Sequence, residues 1–393
     1  MGKSIFFLPG ATGNLAALKL YPALDRLMSD GLIPDMRLVG IALEDLNETS
    51  YRSYIREKTG ICFKDTDYIQ EDFNSESFDK IRKYVAEIPE GTDIYFYLAV
   101  SPVYFEKFIN EIAFMERTTG HKINFLIEKP YGPDYETTVK INRFIKDNMD
   151  EQRCRRIDHY LGKPGYSELL EWKEKLKDRW NGNYIDEVSV VMTETVGIEE
   201  RLDFYRETGA IADAVQNHVF QMLMGVISDI SGNKAENTEN AEIFASLIRD
   251  MADEKAFFKA GQYFDFETAT MIYGTFVSEH PDWRNVKFNL IFGKKMDRKE
   301  TSVTVHFKDE KDALVIDFTK SSPEALPEYA LLIKNFIEGS NTFFLSAKES
   351  ENTWIFGDSL RRILSETGGK TIRRYAEDTT TLNDVISWIN LKR

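Results

Sequence analysis

The chain has 393 residues, long for one hydrophobic core, and 42% of them are hydrophobic, which supplies ample interior for two domains. A formal net charge of −15 leaves no basic tract to displace phosphate counterions, so nucleic acid is excluded as a partner. Cys62 and Cys154 are too few for a disulfide framework and lie in no metal-ligand spacing, which implies a reducing cytoplasm and no metal.

The opening Ile5-Phe6-Phe7-Leu8 is too short for a signal segment and reads as a first strand. No apolar run approaches the ~18 residues of a membrane span, so no membrane partner is expected. Through residue 155, short apolar runs alternate with amphipathic stretches, the pattern of parallel strands joined by crossover helices. Strands are expected at Ser4–Leu8, Met36–Ile41, Asp93–Ala99 and Asn124–Glu128. Helices are expected at Leu15–Asp30, Glu48–Lys58, Phe78–Ile88, Tyr104–Glu116 and Tyr135–Asn148. Residues 1–155 thus read as an α/β, Rossmann-like, doubly wound domain that binds ligands at the carboxyl ends of its strands.

Over 156–393 the pattern becomes α+β. Alternating runs at Tyr184–Thr193, Thr268–Ser278, Arg284–Phe292, Thr301–Phe307 and Ala313–Phe318 predict a mostly antiparallel sheet. Helices are expected at Gly209–Ile227, Asn237–Phe258 and Pro327–Glu338, and after Asp358.

Directly after the first strand, Pro9-Gly10-Ala11-Thr12-Gly13-Asn14-Leu15-Ala16 opens a helix. Glycines at such a turn let the backbone approach a pyrophosphate on the positive helix end, although a tight turn without a ligand would look similar. The second strand leads into Leu43-Glu44-Asp45. A carboxylate there can accept from ribose hydroxyls and repel a 2′-phosphate, or it can point into solvent. Further on, Arg156-Ile157-Asp158-His159-Tyr160-Leu161-Gly162-Lys163 packs an acid, an imidazole, a phenol and a lysine between basic ends. Ordering such a cluster is costly unless it holds an anionic or polar ligand; the alternative is a solvated charged turn.

These segments resemble the glucose-6-phosphate dehydrogenase family. RIDHYLGK matches its signature letter for letter, and Gly10 through Leu24 resembles GASGDLAxRKLYPAL, with Asn14 for the usual Asp and Leu18 for a basic residue. Tyr97–Pro102 resembles YLAxPP, Glu128–Gly132 resembles EKPFG, and Phe292-Gly293-Lys294 resembles C-G-K. Gly209–Gln221 resembles the helix G-x-x-R-D-x-x-Q-N-H-L-x-Q. The likeness extends from Phe6 to about Phe356 and implies oxidation of glucose 6-phosphate, or a close hexose 6-phosphate, to the lactone by hydride transfer to a nicotinamide cofactor. The alternatives are an NAD-dependent oxidoreductase acting on another sugar and a nucleotide-binding regulator without catalysis.

Such an oxidation needs a base for the hydroxyl proton, a task suited to a neutral imidazole, and the chain has only five histidines. His218 lies on an expected helix where Asp213, Asn217 and Gln221 recur every four residues as a polar stripe; a structural core histidine is the plainer alternative. The resemblance implies that His218 is the base and Asp158 the carboxylate that orients it. It places His159, Tyr160 and Lys163 on the sugar phosphate, and Lys129, Glu194, Asp213 and Lys294 among the substrate contacts. Gly10, Thr12, Gly13, Asn14, Leu15, Glu44, Ala99 and Lys129 fall at the cofactor. NADP-using relatives carry arginine where Leu43 stands, so NAD is the expected cofactor, with NADP as the second choice. A homo-oligomer is implied as well, assembled through the second domain.

Overall fold

The computed structural model describes residues 4–74, 78–199, 202–228, 238–264, 268–320, 325–366 and 373–390. The chain forms two compact units, Met1–Gly162 with Leu326–Glu351, and Lys163–Ala325 with Asn352–Arg393.

The first unit is built on a parallel sheet of order β3-β2-β1-β4-β5-β6. Its strands are β1 Ser4–Pro9, β2 Met36–Ala42, β3 Thr66–Gln70, β4 Ile94–Leu98, β5 Ile123–Glu128 and β6 Cys154–Ile157. β1 pairs with both β2 and β4, so the strand order reverses at β1/β4. Every residue of β1 and β4 is buried, as a parallel sheet covered on both faces requires, and this is why these strands read as unbroken apolar runs.

Two strands lie outside the expected set. β3 (Thr-Asp-Tyr-Ile-Gln) is a short edge strand with half-buried polar positions. β6 (Cys-Arg-Arg-Ile) is wholly buried despite two arginines. The Arg156 guanidinium donates to Asn142 Oδ1 at 3.1 and 2.8 Å and to Glu151 at 2.7 Å, so the buried charge is compensated. Hence the start of the Arg156–Lys163 segment completes a sheet and is not a solvated turn.

A helix from far along the chain, Glu328–Ile337, completes this unit. Its Tyr329, Ala330, Leu332, Ile333 and Phe336 share a core with Leu20, Tyr21, Leu24 and Tyr95. The first unit is therefore discontinuous in sequence, whereas the change of pattern at 155/156 divides the chain once.

The second unit carries a sheet of order β12-β11-β7-β10-β9-β8-β13. Its strands are β7 Ile185–Thr193, β8 Phe257–Gln262, β9 Met271–Val277, β10 Lys287–Gly293, β11 Glu300–Phe307, β12 Leu314–Asp317 and β13 Arg373–Arg374. β7 and β10 run parallel, as do β8 and β13, and the other pairs are antiparallel. β8 begins within the last two residues of the expected helix Asn237–Phe258 and was not itself expected. That helix spans Thr238–Met251 and gives way to a turn in which Asp253 accepts from the Lys255 N–H at 2.8 Å; Asn237 lies outside the described residues. Helices Pro164–Lys175 and Leu202–Ala210 were not expected, and the terminal helix expected after Asp358 starts earlier, at Ala347.

The expected helix Gly209–Ile227 is not uniform. Gly209 breaks it at φ 59° and ψ −177°, Ile211–Val219 is a π-helix, and Phe220–Ile227 is α-helical. The buried Lys173 ammonium donates to the Gly225 and Ser228 carbonyls, both at 2.6 Å, and so closes the carboxyl end of the α-helical segment.

Gly162 packs closely against helix Glu328–Ile337. A Cβ there would stand 2.5 Å from the Glu328 carbonyl oxygen and 2.9 Å from Leu332 Cγ. Gly162→Ala should therefore destabilise the protein by about 1–3 kcal/mol through overpacking, read as a lower thermal midpoint. An unchanged midpoint would show that the helix yields freely.

Candidate active site

The cofactor side chains predicted from sequence converge at the carboxyl ends of the first sheet. Gly10 has φ +86°, and a Cβ on it would lie 2.2 Å from the Ala99 carbonyl oxygen, so only glycine allows the end of β1 to approach the end of β4 this closely. The gap falls at the reversal of strand order, where α/β sheets bind ligands. The Gly10 N–H donates to the Ile41 carbonyl at 2.9 Å, the Gly13 N–H to the Gly10 carbonyl at 2.9 Å, and the Tyr54 hydroxyl to the Thr12 carbonyl at 2.7 Å. Gly13 and Asn14 stay exposed, while Leu15 packs against the core.

At the end of β2, Leu43 is 64% exposed. The Thr12 hydroxyl donates to the Glu44 carboxylate at 2.8 Å, and the Tyr68 hydroxyl donates to the Glu44 carbonyl at 2.7 Å. Glu44 is thus tied to the glycine turn and is not a loose surface acid. Lys19, the basic residue nearest in sequence to that turn, pairs with Glu328 at 3.1 Å.

The remaining residues of the first unit lie at the ends of β5 and β6. Tyr97 on β4 donates to Glu128, the last residue of β5, and Lys129 follows directly. Burial pushes the Glu128 carboxyl up to about 7; the Tyr97 hydrogen bond and Lys129 oppose the rise, and Asp158 adds to it. Asp158 is fully buried and accepts from the Tyr160 N–H at 2.9 Å. Tyr160 is buried, and the His159 ring stacks on Tyr329 with centroids 5.9 Å apart and planes 13° apart. Lys163 is the first residue of the second unit and the N-cap of helix Pro164–Lys175.

In the second unit, Lys294 follows β10 and is buried. Its ammonium bridges two carboxylates, Glu194 just after β7 and Asp213 on the π-helix, the latter at 3.1 Å. Its charge is therefore committed to carboxylates that suit sugar hydroxyls. The π-helix also revises the expected stripe. Its bonds run between residues five apart, which turns Asp213 and His218 toward one side. Asn217 bonds back to the Ala212 carbonyl at 2.8 Å, and Asn217, His218 and Gln221 are buried. Gln216 accepts from Arg361 at 2.8 Å, which fixes this segment from outside.

The sequence reading did not single out Tyr97, Glu128 or Tyr329 on the first unit, or Tyr205 and Tyr375 on the second. Glu128 and Tyr97 sit inside quoted motifs; Tyr205 and Tyr375 are brought in only by tertiary structure.

Residues 6–166 match the family model for the glucose-6-phosphate dehydrogenase NAD binding domain, and residues 173–326 match the model for its C-terminal domain. The glucose-6-phosphate 1-dehydrogenase of Streptococcus pneumoniae is 30% identical over 350 residues, covering 78% of this chain and 71% of that protein. The chain belongs to the glucose-6-phosphate dehydrogenase family. The Helicobacter pylori glucose-6-phosphate 1-dehydrogenase is 27% identical over 396 residues, covering 89% of this chain and 91% of its own length. A glucose-6-phosphate dehydrogenase solved with its substrate glucose-6-phosphate shares the fold, with a TM-score of 0.81 at 19% identity over 99% of this chain and 97% of the other. As a member of the glucose-6-phosphate dehydrogenase family this protein is an oxidoreductase with a nicotinamide dinucleotide-binding first domain. Among the described residues no helix is long and apolar enough to cross a membrane.

Because the Glu128 carboxyl titrates higher in the fold than the 4.5 of an ordinary glutamate, the folded protein keeps this proton after the unfolded chain has lost it. Stability should therefore fall as pH rises from about 4.5 to about 7, by up to about 1.4 kcal/mol per unit. Glu128→Gln should flatten that slope in denaturant titrations across the window. An equal slope in both proteins would assign the dependence to other groups.

Proposed function

We propose that the protein oxidises glucose 6-phosphate, or a close hexose 6-phosphate, at the anomeric carbon to the lactone, with NAD preferred to NADP. The observation that carries this reading is that both family domains match in sequence, with the motif residues at the strand ends. When bound, the nicotinamide accepts the hydride. The Gly10 cradle, which a Cβ would fill, together with Thr12, Gly13, Asn14, Leu15, Glu44, Ala99 and Lys129, would hold the dinucleotide. His218 takes the hydroxyl proton, and Asp158 orients and stabilises its imidazolium, the roles that the resemblance implies. His159, Tyr160 and Lys163 hold the phosphate, Lys129, Glu194 and Asp213 hold the sugar hydroxyls, and Lys294 adds a second substrate lysine for the dianionic substrate. The reading also includes a homo-oligomer in the cytoplasm, where two free cysteines would stay reduced.

His218→Asn should lower kcat by ~10²–10⁴ while the Kd for glucose 6-phosphate, measured by calorimetry, stays nearly constant. Retention of more than about a third of wild-type kcat would remove His218 from this role.

The NAD preference rests on Leu43 and Glu44. With no cation from Leu43 to Asp45 and a carboxylate held in place by Thr12, a 2′-phosphate loses an ion pair and meets a like charge. kcat/KM should favour NAD by about tenfold or more, and Leu43→Arg with Glu44→Ser should shift the preference toward NADP. A wild-type enzyme that prefers NADP would overturn this assignment.

A further inference from the structure

Three tyrosines lie near the Lys294 cluster in the second unit, and they differ in what their hydroxyls do. Tyr375 donates to the Lys294 carbonyl at 2.8 Å and pairs with Thr270 at 2.8 Å. Tyr263 donates to Glu199 at 3.1 Å and accepts from the Ile198 N–H at 2.9 Å. Tyr205 is fully buried, yet among the described residues its hydroxyl has no hydrogen-bond partner. A buried orphan hydroxyl is costly and calls for an explanation.

Its surroundings supply one. The Lys294 ammonium lies 5.8 Å from the centre of the Tyr205 ring. Burial raises the phenol well above its ordinary pKa, and the charge of Asp213, followed by Tyr375 and Glu194, raises it further. The hydroxyl therefore stays protonated, a donor within the field of two carboxylates, Asp213 and Glu194, both engaged by Lys294. The break at Gly209 lets helix Leu202–Ala210 and the π-helix present Tyr205 and Asp213 to the same lysine.

We propose that Tyr205 is a positioning residue for sugar recognition, its hydroxyl donating to Asp213 once substrate hydroxyls compete with Lys294 for the carboxylates. The donor held in reserve then keeps Asp213 aligned on the sugar. This rests on the sugar-phosphate reading above, and Tyr205 itself touches no reacting atom.

The test is Tyr205→Phe, which keeps the ring and removes only the hydroxyl. Without ligand its thermal midpoint should equal or exceed the wild-type value, because no hydrogen bond is lost. KM for glucose 6-phosphate should rise about tenfold while kcat stays within about twofold, the signature of lost uniform binding. Adding the substitution to Asp213→Asn should raise KM no further. A ligand-free midpoint lowered by several degrees would show a hydroxyl already bonded and overturn the proposal, as would an unchanged KM in an active enzyme. Wild-type protein inactive on every hexose 6-phosphate would instead overturn the functional reading and take this inference with it.

Discussion

The ammonium of Lys294, buried after β10 and clasped by Glu194 and Asp213, is the interaction on which the second unit's site depends. A buried cation without partners is far more costly than an exposed one, so the three segments that supply the lysine and its two acids must converge. The Lys294 backbone reinforces this, its N–H donating to the Thr270 carbonyl and its carbonyl accepting from Tyr375. The same rule governs the first unit, where Arg156 is enclosed by Asn142 and Glu151. A protein of net charge −15 thus keeps key cations inside, each matched by its own acids, and does not display them on a basic face.

What could be read from the residues follows from how each element is stabilised. β1 and β4 carry continuous apolar runs, and β2 and β5 are broken only by a half-buried Arg37 and Asn124 before the Glu128 at the end of β5, because the sheet is covered on both faces, so composition reveals them. β6 is hidden because two arginines in four residues read as exposed, whereas Arg156 is buried on Asn142 and Glu151 and Arg155 reaches the distant Ser340 carbonyl. The expected helix Asn237–Phe258 runs on into the first two residues of β8 because the turn between them is held by backbone bonds and the Asp253 side chain, which leave little mark on the sequence pattern.

The site shows the same division. The glycine turn and Arg156–Lys163 are legible because their function needs particular residue types close together in sequence. The orientation of Asp213 relative to His218 is not, since a four-residue period assumes an α-helix and the observed π-helix changes the angle per residue. Glu128 was visible as a letter in a motif. Its high affinity for a proton comes from burial, against the opposing pull of the Tyr97 hydrogen bond, and is a property of the fold.

Helix Glu328–Ile337 has a consequence for how the protein is made. The core of the first unit includes Tyr329, Leu332, Ile333 and Phe336, which leave the ribosome long after β1 to β6. A nascent nucleotide-binding sheet must therefore wait, with the face that receives this helix uncovered, while the strands of the other unit are synthesised. The order of synthesis, as much as the final contacts, thus determines how long that apolar surface stays exposed.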